Sequence, residues 1–181
     1  MKKNTTLSAK DMAYIGLSVA LLAVCSQLCI PFAVPFTLQT FAVSAIAIIL
    51  GPGKGTMTVI IYLLLGAVGL PVFSQFKGGL SALIGPTGGF LFGFIPMTLI
   101  IGLLLKNRKY PFPVQLIFGM LGNAALYFTG TLWYAYVSTG FENSIGINKI
   151  LCSCIFPFIL PDLLKLALAI SLSKKIKASI P

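Results

Sequence analysis

The sequence predicts an all-α integral membrane protein: six transmembrane helices in a single domain over residues 1–181, with both termini cytoplasmic. Three observations predict it. Hydrophobic residues make up 57% of the chain and charged residues only 9%, where a soluble domain carries about 25% charged residues. Most of these apolar side chains therefore have no polar cover against water. The apolar residues gather into runs approaching the roughly 20 residues that a helix needs to cross a bilayer. The basic residues fall between those runs with a one-sided bias.

Breakers and charges divide the chain as follows. The first span is Met12 to Ile30, stopped by Pro31 with Pro35 close behind. The second is about Leu38 to Leu50, ending at "GPGKG" (Gly51 to Gly55). It is short, so it extends through Phe36 or lies tucked among other helices. The third is Thr56 to Leu70, closed by Pro71, and the fourth is about Gly88 to Leu105. The fifth is Val114 to about Val137, and the sixth is Ile147 to about Ser173. With the N-terminus in the cytoplasm, Lys2, Lys3, Lys10, Lys54, Lys106, Arg108, Lys109, Lys174, Lys175 and Lys177 lie inside. Only Lys77 and Lys149 lie outside, and Lys165 falls within the last span. This alternation requires an even number of spans. It leaves cytoplasmic tails of about 1–11 and 174–181 and an extracellular lid loop of about 71–87.

Other readings of the same residues are weaker. A net charge of +10 suits nucleic acid in a soluble protein, but here the charges mark topology. Cys25, Cys29, Cys152 and Cys154 lie in apolar runs, away from the polar loops of disulfide or zinc scaffolds, and read as small buried apolar residues. Lys2, Lys3 and Lys10 before an apolar stretch resemble a signal peptide, but the run is long and no small-x-small cleavage site follows. "LAVC" (Leu22 to Cys25) is a poor lipoprotein box because of Val24. "GPGKGT" (Gly51 to Thr56) lacks phosphate-loop spacing, so the chain has no visible way of using ATP by itself. No histidine is present, and no catalytic set or metal cluster is in register. An enzyme is not expected.

Chemistry stands out where polar groups interrupt the apolar background. Asp162 and Lys165 are i, i+3 neighbours able to pair on a helix, and a charge in hydrocarbon costs several kcal/mol. Pro157 and Pro161 predict a kink, with a new helical segment starting near Asp162 and a cavity beside it. Self-satisfied pairing that locks the kink is the plainer alternative. The segment "GLPVFSQFKGGLSALIGPTGG" (Gly69 to Gly89) is too apolar for a simple solvated link. It either folds back to cap a cavity or is a surface loop, with Lys77 its sole charge. On span five, Asn123 and Tyr127 share a face, and Asn123 also suits helix–helix glue. Trp133, Tyr134 and Tyr136 suit an interfacial belt or a pocket lining. Gly16 and Ala20 make a small-xxx-small step for close helix approach, within the chain or with another subunit.

"GLPVF" (Gly69 to Phe73) and "GPTGGF" (Gly85 to Phe90) resemble the BioY family, the biotin-binding S components of energy-coupling-factor transporters. "PFTLQTFAV" (Pro35 to Val43), "GTLWYA" (Gly130 to Ala135) and "PDLLKLALA" (Pro161 to Ala169) carry the same resemblance, in order along the chain.

The resemblance implies a six-helix protein in a bacterial-type cytoplasmic membrane, with a high-affinity biotin pocket near its outer side. It implies as partners a transmembrane T subunit and two cytoplasmic ATPases, with no cofactor, metal or nucleic acid bound by the chain itself. Such a component is thought to topple in the membrane to carry its ligand inward. Gly16 and Ala20 would dock the T subunit. Asp162 would accept a ureido N–H of biotin, and Lys165 would pair with Asp162 or with the valerate carboxylate. Lys77 would meet the carboxylate near the outer mouth. Phe73, Phe90 and Trp133 would pack the sulfur ring and chain, with Gly79, Asn123 and Gln39 completing the set. The chain departs from the family at two points: Lys77 stands where some members carry a small amide, and Leu91 where some carry an arginine. The alternatives are an S component for thiamine or riboflavin, an autonomous small transporter, and a scaffold subunit with no ligand.

Overall fold

The computed structural model describes residues 8–31, 34–105, 110–139 and 154–179. The helices are α1 (Ala9–Gln27), α2 (Gln39–Ala67), α3 (Leu80–Ile84), α4 (Gly88–Leu104), α5 (Phe112–Thr139) and α6 (Phe156–Ser179). Between α1 and α2, β1 (Cys29–Ile30) pairs antiparallel with β2 (Phe36–Thr37), and a 3-10 turn covers Ser74–Phe76.

Three helices, α1, α5 and α6, are each long and apolar enough to cross a membrane, as is α2 when its 29 residues are taken as one element, and α4 is a shorter apolar helix. Their outer surfaces are as apolar as their inner ones. On α1, Ile15, Val19 and Leu22 are buried while Leu17, Leu21 and Val24 face outward. On α6, Leu166 and Ile170 are buried while Leu164 and Leu168 are exposed. The polar side chains run the other way, with Gln39, Asn123, Asp162 and Lys165 all buried. Helices apolar all round, with polar groups turned inward, belong in hydrocarbon. The chain is a multi-pass membrane protein.

The α2 element is the hub: it packs on α1, α4 and α6, while α5 packs on both α4 and α6. It is continuous only in hydrogen bonding. Gly51 has φ +78° and ψ −178°, outside helical space, and Pro52 follows. Gln39 Nε2 donates to Tyr62 Oη at 2.7 Å. In a straight helix these residues would be about 34 Å apart, from 1.5 Å per residue. The element is therefore two arms folded back at Gly51, and Gly55 lies against Ala47.

Several boundaries differ from the sequence reading. The "GPGKG" turn shrinks to one residue, because Pro52 is well placed at a helix start and Gly53, Lys54 and Gly55 continue the second arm. The first helix stops at Gln27, since Cys29 and Ile30 are drawn into the short ladder with Phe36 and Thr37; the fold is all-α apart from it. Helix α6 starts at Phe156 and runs through Asp162, with Pro161 inside it, so no new segment begins at Asp162. Pro157 sits in the first turn, where N–H groups have no helical partner. Pro161 forgoes only the bond to the carbonyl of Pro157. The expected start of the last span at Ile147, and Lys149 and Cys152, lie outside the described residues.

A Cβ at Gly51 would meet nothing within 4 Å, so a substitution there tests backbone conformation alone. Gly51→Ala is expected to destabilise the protein by about 1–3 kcal/mol, the cost of that glycine-only region. A drop in the thermal unfolding midpoint in detergent would check it.

Candidate functional site

Polar residues converge at the start of α2. The Gln39 N–H donates to Thr37 Oγ1 at 3.2 Å, and Thr37 Oγ1 donates to Gln39 Oε1 at 3.0 Å. This fixes the chain where Thr37 and Thr40 face α6. There, Thr40 Oγ1 donates to Asp162 Oδ1 at 2.8 Å and Tyr127 Oη, on α5, donates to Asp162 Oδ2 at 2.7 Å. Lys165 Nζ donates to Asp162 Oδ1 at 2.9 Å, to the Thr37 carbonyl at 2.7 Å and to Thr40 Oγ1 at 3.3 Å. It also lies 3.8 Å from the centroid of the Phe36 ring, a cation–π contact. Phe36 in turn stacks on Phe158.

The Asp162 and Lys165 side chains are only 2% and 8% exposed. Desolvating two such charges costs several kcal/mol each unless the geometry and the remaining hydrogen bonds compensate. Here the carboxylate accepts three donors and each ammonium N–H has an acceptor. One carboxylate position stays open: Oδ2 accepts from Tyr127 alone, and a carboxylate oxygen can take a second donor.

This polar floor opens on a cavity of about 520 Å³, within the about 300–1,000 Å³ typical of small-molecule sites. Gln39, Thr40, Tyr127, Asp162 and Lys165 line it, together with Phe90 and Phe94 of α4, Leu126 of α5, Cys154 and Phe158. Its roof is the segment from Phe73 to Thr87.

The roof is fastened to the bundle. Ser26 Oγ donates to the Val72 carbonyl, as does Tyr62 Oη at 2.9 Å. Gln27 Nε2 donates to the Phe73 carbonyl at 3.0 Å, and Gln27 Oε1 accepts the Phe76 N–H at 2.9 Å. Phe73 is buried edge-on against Tyr62. Its ring occupies the space over Gly66 that any Cβ would fill. Gln75 (φ 60°) and Phe76 (φ 55°) are both left-handed, a costly conformation for such side chains. They turn the chain so that Phe73 and Lys77 form an antiparallel bridge. At the far end of the roof, Trp133 Nε1 donates to the Gly85 carbonyl at 2.9 Å.

Of the residues singled out in the sequence, Asp162, Lys165, Lys77, Phe73, Phe90 and Gln39 line the cavity. Gly79, Asn123 and Trp133 do not. The Gly79 N–H donates to the Gly66 carbonyl at 2.7 Å, tying the roof down. Trp133 braces the roof from outside, packed on Phe92 and Gly89. Asn123 is buried, its Nδ2 3.6 Å from Met120 Sδ and its Oδ1 without a partner among the described residues. Lys165 is bonded to Asp162 and to backbone and hydroxyl acceptors of the 37–40 segment. Thr40 and Tyr127 were missed as site residues. Tyr127 was visible only as a polar group one turn from Asn123, and Thr40 only as part of "PFTLQTFAV".

Gly16 and Ala20 sit on the exposed side of α1. A Cβ at Gly16 would meet nothing within 4 Å, so no described part of the chain packs on it. Gly16 lines a shallow apolar groove with Ile15, Val19, Met57, Ile61 and Leu65.

The comparisons with known proteins agree with one another. The model of the BioY family matches residues 1–181. The chain is 40% identical to the biotin transporter BioY of Thermotoga maritima, over 93% of this chain and 96% of the relative. It is 33% identical to a probable biotin transporter BioY of Pyrococcus horikoshii, over 96% and 99% of the two chains. The crystal structure of the S-component for biotin from an ECF-type ABC transporter superposes with a TM-score of 0.83 at 27% identity, covering 98% of this chain and 95% of that one. With its whole length matched by the family model and nearly all of it by these relatives, the chain belongs to the BioY family.

Proposed function

We propose that this protein is the S component of an ECF-type transporter, capturing biotin from outside the cell for uptake driven by partner ATPases. One observation carries the reading: a buried Asp162–Lys165 pair, with one acceptor position open at Asp162 Oδ2, forms the polar floor of a small-molecule-sized cavity under the 73–87 roof. Biotin has a ureido ring with two N–H donors, a sulfur ring and an aliphatic carboxylate tail. The open position at Asp162 Oδ2 suits a ureido N–H. Gln39, buried in the same lining, is a further neutral polar group to share the ring. Phe73, Phe90 and Phe158 supply apolar walls for the sulfur ring and chain. Lys165 pairs with Asp162, and Tyr127 and Thr40 hold its orientation. Trp133, Gly79 and Asn123 act indirectly, through the roof and the helix packing.

In this reading the chain crosses the membrane six times, the two arms of α2 counting separately, with both termini in the cytoplasm. The distribution of Lys and Arg supports that orientation. It places Lys54, ion-paired with Asp11, at the cytoplasmic turn and the segment of about 71–87 outside as a lid. The exposed Gly16 and Ala20 face of α1 docks the transmembrane T component, which links the chain to two ATPase subunits. No cofactor or metal is assigned to the chain itself.

In detergent, the protein is expected to bind about one biotin per chain by calorimetry, with thiamine and riboflavin inert. A response to either of those in place of biotin would overturn the ligand. Asp162→Asn is expected to weaken biotin binding about tenfold or more, the scale of one charge-assisted hydrogen bond, while far-UV circular dichroism is unchanged. Unaltered affinity would return the ion pair to a purely structural role. Replacing both partners together, Asp162→Leu with Lys165→Met, removes the desolvation penalty with the charges but leaves the Thr37 carbonyl and the Tyr127 hydroxyl without their partners, so it is expected to cost about 1–3 kcal/mol for each such group and to abolish binding. Retained binding in that double variant would overturn the site.

A further inference from the structure

We infer, on the basis of the biotin reading, that Gln27 is a positioning residue for ligand retention: from outside the cavity it holds the Phe73–Lys77 turn of the roof shut and so sets how fast the ligand exchanges. Phe73, Ser74, Gln75, Lys77 and Gly78 line the cavity, yet Gln75, Phe76 and Lys77 are exposed. The turn is therefore a thin cover, with the ligand's space on one side and the surroundings on the other. Gln27 is not in the lining. It is the last residue of α1, so a rigid element carries it.

The turn gives itself little support. Its own bonds run from the Phe73 N–H to the Lys77 carbonyl at 3.0 Å and from the Lys77 N–H to the Ser74 carbonyl at 3.4 Å. Against them stand two consecutive left-handed residues that carry side chains, Gln75 and Phe76. Such backbone persists only where its surroundings over-determine it. The bonds at Val72, Gly79 and Gly85 pin the roof on either side of the turn, not the turn itself. Among the described residues, Gln27 is the one side chain from outside the roof that hydrogen-bonds to residues 73–77. It uses both ends of its amide: Nε2 donates to the Phe73 carbonyl at 3.0 Å, and Oε1 accepts the Phe76 N–H at 2.9 Å. Nε2 also lies 2.9 Å from Ser26 Oγ and 3.3 Å from the Pro71 carbonyl. An amide offers one acceptor and one donor group, and the turn presents one N–H and one carbonyl to match. Removing that amide leaves the strain of the turn and takes away its restraint.

The test is Gln27→Met, which keeps the length of the side chain and removes both ends of the amide. Lys77 is the sole basic residue between 71 and 87, so trypsin cleavage after it reports opening of the turn, with or without ligand. In ligand-free protein in detergent, the variant is expected to be cut there about tenfold faster, the scale of a lost hydrogen-bonded anchor. Cleavage after Lys165, buried in the bundle, is expected to stay at the wild-type rate. Labelled biotin is expected to leave the variant about tenfold faster and to enter it faster too, with the number of sites per chain unchanged. Loss of sites with faster cleavage after Lys165 would make Gln27 a residue of the general fold and overturn its role in retention. Unchanged exchange rates would overturn it as well. Wild type that binds no biotin would overturn the biotin reading and retention of biotin with it, and the cleavage after Lys77 separates that failure from a failure of Gln27 to hold the turn.

Discussion

A carboxylate and an ammonium lie 2.9 Å apart inside an otherwise apolar bundle, and much of the architecture exists to make that tolerable. The pair is local in sequence, but its partners are not. Thr37 and Thr40 come from the start of α2, Tyr127 from the middle of α5, and Phe36 from the short ladder before α2. Low dielectric strengthens each of these contacts and makes each missing one expensive. The ion pair therefore fixes α2, α5 and α6 relative to one another at one end of the bundle. The space it leaves under the roof is the cavity.

The roof obeys a different logic. It contributes few regular hydrogen bonds of its own and borrows them from neighbours. Ser26 and Gln27 at the end of α1 take its carbonyls and one N–H, and Tyr62 reaches it from the second arm of α2. Gln39 joins Tyr62 to the floor through a 2.7 Å bond. Floor and roof are thus coupled by one chain of side chains, Thr37 to Gln39 to Tyr62 to the Val72 carbonyl. The consecutive left-handed residues Gln75 and Phe76 store strain in the segment those anchors hold.

Part of this was legible in the chain. Apolar run length and composition gave the helices, because a bilayer demands both regardless of packing. The ion pair was legible because a charge in hydrocarbon is too costly to be incidental, and i, i+3 spacing already brings its members together. The roof was half legible: its segment is too apolar for a simple solvated link, but capping a cavity and lying on the surface both stayed open until the structure put it in the cavity lining. Other features were not. The single-residue turn at Gly51 was hidden inside a five-residue glycine-rich motif, since only the φ of one residue distinguishes a reversal from a bend. Pro161 was expected to break the last helix, and the helix carries it, because one lost backbone bond is a small cost against the packing on both sides.

By itself the sequence determined that this is a membrane-embedded helical protein of the BioY family, with one intramembrane charge pair near its end. Only the tertiary structure decided which charges are free. The i, i+3 spacing already pairs Lys165 with Asp162, but it does not say whether that ammonium keeps a donor to spare. Folding brings three acceptors and an aromatic face to Lys165, and none among the described residues to Lys77. Likewise Trp133 and Asn123 look as suited to a pocket as Tyr127. The rotation of α5 against α4 and α6, set by packing over the whole helix, turns Tyr127 to the carboxylate and Trp133 to the outside of the roof.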